Sequence, residues 1–402
     1  MAYTLRTASP TADASLAPLL DAAFGRANRE SKLVTQLATG YPAFDPGLSL
    51  VATADGRDLG YGLFLPRGFR IRGCDVSMAI SAPFGTVADA RGKGVGTFLL
   101  ETGLGALKDR GMRGAVALGG QDFFRRQGYE SAFNLYTCDA RRDLLPKQEA
   151  GDWGGLTGED IPHLMRLFAS NYRGVSGSEL RTNAALDWES SAVAAYTLVQ
   201  RRHNEAVAYV RFRVRDTLAV KECGAKDPAA VTSLLAFLRR LAEEHNRPNI
   251  EVHVPPPHPV FRALFRRGCM AEGNNFHDAV MLRIVDWQGL FQDTAASWLR
   301  PMELCKQDEL SLGIEGVNYQ LKRTDSGLEV SEAKSEFHIE LPTGWAAPLL
   351  TGRLDWRDLH FETGGEFGGQ TMDSLGCDLL GMLFPPGTPM WTYAPIFEVA
   401  DE

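Results

Sequence analysis

The sequence predicts an α+β protein in three parts, and three observations predict it. Helix-like and strand-like patterns alternate from Tyr3 to about Leu145. The same order returns more loosely over about 146–285. After about 286, strands and turns follow closely and give way to helical pieces near 345–351 and 373–383. A chain of 402 residues exceeds one ordinary core, so the parts are expected to be domains over 1–145, 146–285 and 286–402.

Each element has a local reason. Residues 13–24 place Leu16, Leu19, Leu20 and Phe24 at helical spacing. The apolar runs at 48–53 and 59–65, split by a turn-like Ala54-Asp55-Gly56-Arg57-Asp58, read as a hairpin. A strand from Val76 to Val87 leads into Arg91-Gly92-Lys93-Gly94-Val95-Gly96, a helix follows over Thr97 to Arg110, and Ala115 to Leu118 reads as a buried strand. In the second part, 160–169 and 228–244 are expected helices, the latter with Val231, Leu234, Leu235, Leu238 and Leu241 on one face. Residues 206–214 and 250–254 alternate as strands. Phe123 to Gly128 and Leu264 to Gly268 echo each other, which suggests a duplicated domain. In the third part, Val317 to Lys322 and Leu328 to Val330 read as strands.

Composition narrows the function. Hydrophobic residues make up 44% and charged residues 23%, as in globular proteins. The net charge of −8 argues against a general nucleic-acid binder and is compatible with a cationic substrate. Six scattered cysteines without a CxxC pair point to thiols in a reducing compartment. Neither a secretory leader nor an apolar run long enough for a membrane helix is visible, so the expected location is cytoplasmic.

The turn at 91–96 carries the chemistry. Glycines strip side chains from successive backbone N–H groups, and a helix N-terminus favours an anion. Arg91 and Lys93 add positive charge. The turn lacks Gly-Lys-Ser/Thr and the GxGxxG spacing, and fits R/Q-x-x-G-x-G/A. On the motif alone, a plain glycine-eased strand-to-helix turn stays open beside a phosphate site.

Strand, R-x-x-G-x-G turn, helix, strand and aromatic-rich helix, over Met78–Val87, Arg91–Gly96, Thr97–Arg110, Ala115–Leu118 and Asp122–Tyr129, resemble the GNAT acetyltransferases. The whole chain resembles the enhanced-intracellular-survival (Eis) type. Met281 to Asp286 would close a second GNAT fold, and Trp345 to Gly352 with Leu379 to Pro386 resemble sterol-carrier segments. The resemblance implies tandem GNAT folds, each a mixed central sheet flanked by helices, then a sterol-carrier-protein-like α+β domain. It implies an acetyl-CoA-dependent N-acetyltransferase acting on an amine of a small cationic molecule or peptide, aminoglycoside-like or lysine-like, without a metal. It also implies a homo-oligomer, a hexamer built as a trimer of dimers.

Residue by residue, the resemblance assigns Gly92, Lys93, Gly94, Val95, Gly96 and Thr97, with Arg91, to the CoA pyrophosphate. Thr86 and Val87 are assigned to the strand that meets pantetheine. The second fold lacks the turn, so one CoA site per chain is expected. The family's base is the C-terminal carboxylate; here the Glu402 carboxylates reach the site, Glu398 substitutes, or the function is lost. The family's general-acid tyrosine is replaced by Phe124 in Phe123-Phe124-Arg125-Arg126-Gln127-Gly128-Tyr129. Tyr129 is the substitute donor to weigh against a core aromatic. That departure keeps a second class open, a non-catalytic CoA- or lipid-binding protein. Asp21, Glu30 and Asp75 are candidates for an acidic wall, while His253 and His258 around Pro255-Pro256-Pro257 read as structural.

Overall fold

The computed structural model describes residues 2–25, 30–148, 151–182, 188, 196–274, 280–362, 366–367, 370–371 and 374–392. The first part contains β1 (Thr4–Thr7), α1 (Leu16–Phe24), α2 (Glu30–Gly40), β2 (Ser49–Ala54), β3 (Arg57–Ile71), β4 (Cys74–Thr86), α3 (Val95–Asp109), β5 (Gly114–Leu118), α4 (Gln121–Arg126), β6 (Glu130–Phe133) and β7 (Leu135–Arg141). The second contains β8 (Trp153–Gly155), α5 (Ile161–Asn171), β9 (Tyr196–Arg202), β10 (Glu205–Val214), β11 (Leu218–Ala225), α6 (Pro228–Glu244), β12 (Asn249–Val252), α7 (Pro259–Phe265), β13 (Met270–Asn274) and β14 (Val280–Ile284). The expected helices and strands form with shifts at their ends, the largest being β3, which runs from the expected 59–65 out to Ile71. Helix α2 is an addition: Leu33, Val34 and Leu37 bury one face of it.

Two seven-stranded sheets result, and they exchange strands. The first runs β1-β2-β3-β4-β5-β14-β6 and the second β13-β7-β12-β11-β10-β9-β8. Met281 to Asp286 therefore does not close the second sheet as the sequence suggests. Strand β14 pairs antiparallel with β5, Val280 opposite Leu118 through Ile284 opposite Gly114, and with β6 on its other side. The reason is apolar on both faces. Met281 packs into the core under α1 and α3, whereas Val280, Leu282 and Ile284 enter the core shared with the third part. A strand with both faces apolar belongs in a sheet interior. In return β7 sits between β12 and β13 of the second sheet.

The third part holds α8 (Trp287–Asp293), α9 (Ala295–Leu304), β15 (Glu309–Ile314), β16 (Val317–Thr324), β17 (Gly327–Glu332), β18 (His338–Glu340), α10 (Ala346–Thr351), α11 (Trp356–Glu362) and α12 (Ser374–Leu383). Its four-stranded sheet, β17-β16-β15-β18, has one parallel pair, β15 with β18. Val76, Met78 and Ile80 of β4 pack into one cluster with Trp298, Leu312, Leu350 and Phe384. Strand period sends Ala79 to the opposite face, into the core with Leu99 and Leu100 of α3. The first sheet is thus covered on both sides.

The echo between the first two parts is structural. Helices α4 and α7 are both short, and the glycine shortly after each, Gly128 or Gly268, has positive φ (75° and 79°). This left-handed geometry is the usual glycine stop of a helix. Among the described residues, no helix is long and apolar enough to cross a membrane.

Candidate functional site

Strands β4 and β5 pair in parallel only at Ala79–Ala115, Ile80–Val116 and Ser81–Ala117. Pro83 then removes a backbone donor from β4. Beyond Ser81, β4 stays paired with β3 to Thr86 opposite Gly60, while β5 ends at Leu118. The sheet is therefore open along one edge of β4. Val87 N–H donates to Leu59 (3.0 Å), so alternation turns the peptide groups of Phe84 and Thr86 to that open edge. This corrects the expectation for Val87, whose amide is already engaged. Thr86 remains on the edge.

At the far end of the opening sits the glycine turn. Gly92 and Gly94 have φ of 73° and 88°, and Gly94 stands immediately before α3 with no side-chain cap on the helix. The first amides of a helix have no intrahelical acceptor, so those of Val95, Gly96 and Thr97 face outward as donors. Gly96 packs close to both walls: a Cβ there would lie 3.3 Å from the Phe123 ring and 3.8 Å from Thr86 Oγ1. Lys93 is exposed. Arg91 does something other than the phosphate fork the sequence suggests. Its Nε donates to Thr86 O (3.2 Å) and its Nη2 to Ala23 O (3.0 Å), bracing the strand end against α1. Thr97 Oγ1 accepts from Gln127 Nε2 at 3.3 Å.

Where β4 leaves β5 there is a cavity of about 310 Å³, lined by Phe24, Glu30, Leu33, Ser81, Ala82, Pro83, Phe84, Leu118, Gly120 and Phe124. Gly85 permits its roof, because a Cβ there would fall 2.5 Å from the Phe24 ring. Phe124 is 5% exposed and packs on Phe84, Phe123 and Tyr129, with centroids 6.1, 5.2 and 5.0 Å away. Tyr129 lies behind this wall, hydrogen-bonded to Ser81 Oγ at 3.0 Å, and burial raises its pKa. Ser81 lines the cavity and Tyr129 does not.

The carboxylates divide clearly. Asp75 is at the start of β4, paired with Arg70 (3.4 Å), and Asp89 pairs with Arg57 (3.1 Å) at the surface. Neither lines the cavity, so Asp75 forms no part of an acidic wall there. Glu30 does line it. The sequence carries a signal for this residue in retrospect: Leu33, Val34 and Leu37 mark a short helix that starts at Glu30. Glu398 and Glu402 lie outside the described residues. The chain before them is firmly placed. Met390 N–H donates to Ser176 O, Trp391 Nε1 to Glu179 Oε1 (3.3 Å), and Glu179 N–H to Thr392 Oγ1 (3.0 Å). Glu179 is itself ion-paired with Arg67 of β3 at 2.8 Å, both side chains being almost completely buried.

The second sheet repeats the opening but engages backbone groups along it. Strands β11 and β12 pair in parallel from Leu218–Ile250 to Val220–Val252, and β11 continues to Ala225. There Asn171 Nδ2 donates to Ala225 O (3.0 Å), and Ala225 N–H donates to Asn171 Oδ1 (2.9 Å). Cys223 O is 3.1 Å from His258 Nε2, while His258 Nδ1 accepts from Val260 N–H. The imidazole is fully buried, and burial lowers its pKa to about 3, so it is neutral and structural, as the sequence suggests. Helix α6 begins with Pro228, and its cap Asp227 accepts from Ala230 N–H (2.7 Å). A carboxylate thus occupies the place where the first fold offers bare amides.

No family model matches the chain. It is 33% identical over 103 residues to "Uncharacterized N-acetyltransferase YjhQ" of Escherichia coli strain K12. That match covers 26% of this chain and about half of the relative, 56%. Solved structures match nearly end to end. The GCN5-related N-acetyltransferase from Kribbella flavida shares a TM-score of 0.73 at 18% identity, covering 98% of each chain. The one from Anabaena variabilis gives 0.72 at 17%, covering 97% of this chain and 99% of its own. Eis1 from Mycobacterium abscessus gives 0.63 at 16%, covering 98% and 99%. The chain therefore has the overall fold of these GNAT structures. Among the described residues, no group of three or more His, Cys, Asp or Glu is placed to hold a metal ion.

Proposed function

We propose that this chain is an acetyl-CoA-dependent N-acetyltransferase whose acceptor is an amine. The observation that carries the reading is the opening between β4 and β5, with uncapped helix amides at one end and a carboxylate-bearing cavity at the other. The residues fit a pyrophosphate, since Val95 to Thr97 offer amides without a side-chain cap, the Gly92–Gly94 turn leads into them, and Lys93 adds an exposed charge. Acetyl-CoA supplies the acetyl group as a thioester. The open-edge peptide group of Phe84 and the N–H of Thr86 are positioned to hold an extended chain, as a strand edge holds another strand. In this reading the tail after Thr392 covers the acceptor end, and Glu398 or the Glu402 carboxylates draw a cationic acceptor toward it.

Phe124 supports a second reading, a CoA- or lipid-binding protein without turnover, because a buried ring stands where the resemblance expects a hydroxyl. A thiol of ordinary pKa near 8.5 is a tolerable leaving group without an acid, so transfer remains chemically open. A thiol-release assay over a panel of amines decides between the two. Release with at least one amine is expected; CoA binding with no release from any amine establishes the second reading.

Calorimetry should find one CoA per chain, since Asn171, His258 and Asp227 already occupy the equivalent groups of the second sheet. Two equivalent sites overturn that part. The third part is read as sterol-carrier-like, the location as a reducing cytoplasm, and the assembly as a hexamer. Free thiols at Cys74, Cys138, Cys223, Cys269 and Cys305 fit the second of these. A monomer in sedimentation velocity removes the hexamer and leaves the fold untouched.

A further inference from the structure

The cavity beside β4 has one feature that the cofactor does not explain. Glu30 opens α2 and contributes a carboxylate to a lining that includes Phe24, Leu33, Phe84, Leu118, Phe124 and Ser81. Its Oε2 is buried without a hydrogen-bond partner among the described residues. Burying a carboxylate oxygen unpaired is costly, and such groups are normally satisfied by a partner. A ligand that fits is a single ammonium, with an apolar body against the aromatic walls.

We propose that Glu30 binds the ammonium of the acceptor and takes its proton, and that the acceptor class is a primary monoamine with an apolar body. This rests on the transferase reading for its proton-transfer half only. One proton passes from R–NH₃⁺ to the Glu30 carboxylate, leaving a lone pair on nitrogen. The amine nitrogen then forms a C–N bond to the thioester carbonyl carbon and the C–S bond breaks. The sulfur leaves with the bond pair and takes the second N–H proton, and Glu30 returns its own proton to water. Burial raises the pKa of Glu30, which moves it toward the working range of a base near neutrality. The elements around it carry other titratable groups: Asp21 on α1, Lys32 on α2, Cys74 and Asp75 on β4, and Asp122, Arg125 and Arg126 on α4. None of these lines the cavity. Arg91 is tied to Ala23 O, and Tyr129 stands behind Ser81.

The test is a calorimetric titration of the full chain, wild type and Glu30→Gln, with 2-phenylethylammonium chloride, and separately with CoA. Glu30→Gln should weaken phenylethylammonium at least 10-fold and leave CoA affinity unchanged. Wild-type amine binding should fade as pH drops through the raised Glu30 pKa, and the variant should show no such limb. Folding provides the control. A carboxyl whose pKa is raised by folding costs stability as pH climbs from its ordinary pKa through the raised one. Glu30→Gln should therefore be no less stable than wild type at neutral pH, whereas a merely structural glutamate predicts a lower Tm. In the thiol-release assay, Glu30→Gln should lose about 10²–10⁴-fold in turnover together with the acidic limb of kcat/KM. Equal amine binding by the two proteins overturns the proposal, as does tighter binding of spermine than of phenylethylammonium. If the amine binds through Glu30 but no thiol is released by wild type, the ammonium site stands and the transferase reading falls with its proton-transfer step.

Discussion

Gly94→Asp should reduce CoA affinity by about 10²–10³-fold while the protein still folds. Two effects combine at this position. Gly94 has φ of 88°, where any L side chain is strained by roughly 1–2 kcal/mol. A Cβ built there meets nothing within 4 Å, so the variant has room and no packing is lost. The decisive term is charge. A carboxylate at the N-terminus of α3 competes for the same amides that the proposed pyrophosphate uses, and repels it. Two unit charges 4 Å apart interact by about 4 kcal/mol at the effective dielectric of a protein surface. Gly94→Ala separates the terms, because it keeps the backbone strain and adds no charge. It should lose less than Gly94→Asp in a CoA titration; unchanged affinity in Gly94→Asp removes the turn from the cofactor site.

Deleting residues 398–402 should lower turnover by about 10²-fold with little change in Tm or CoA affinity. The deletion leaves untouched the contacts that hold Met390, Trp391 and Thr392. Those contacts place the chain beside Arg67, on the strand whose Phe64 pairs with Ser81 of the cavity wall. Ten residues beyond Thr392 span at most about 33–36 Å when extended. A negatively charged end near the acceptor strengthens its capture and holds it for attack. The two carboxylate sources are separable: the deletion should weaken amines of all kinds and leave the pH limb assigned to Glu30 in place. Full-rate turnover by the shortened chain excludes the tail from the reaction.

Local patterns made much of the fold legible. The 228–244 helix has one apolar stripe, and the strand into 91–96 has the glycines its turn requires, so each could be read without knowing its neighbours. The strand exchange could not be read that way. Val280 to Ile284 announces a strand buried on both faces, yet nothing local says which of two sheets will receive it. The site was legible to the same degree. The phosphate turn depends on a short motif, whereas the roles of Arg91 and Glu30 depend on α1 and α2 folding over β4. The engaged backbone groups of the second sheet rest on Asn171, Asp227 and His258, three residues from separate elements.

The strand exchange also sets an order of events at the ribosome. The first sheet cannot be completed when residue 145 emerges, because the strand that seals β5 and β6 is still unmade. Until Val280 to Ile284 arrive, both of those strands present open edges, which is the exposure that invites wrong pairing. The second sheet waits in turn on β7, already synthesised but kept between β12 and β13. Cutting the gene at 145 therefore yields two fragments that each lack a central strand and hold one meant for the other, whereas a cut at 285 leaves both sheets their strands. The first two parts share strands, so CoA binding and amine binding are properties to measure on the uncut chain.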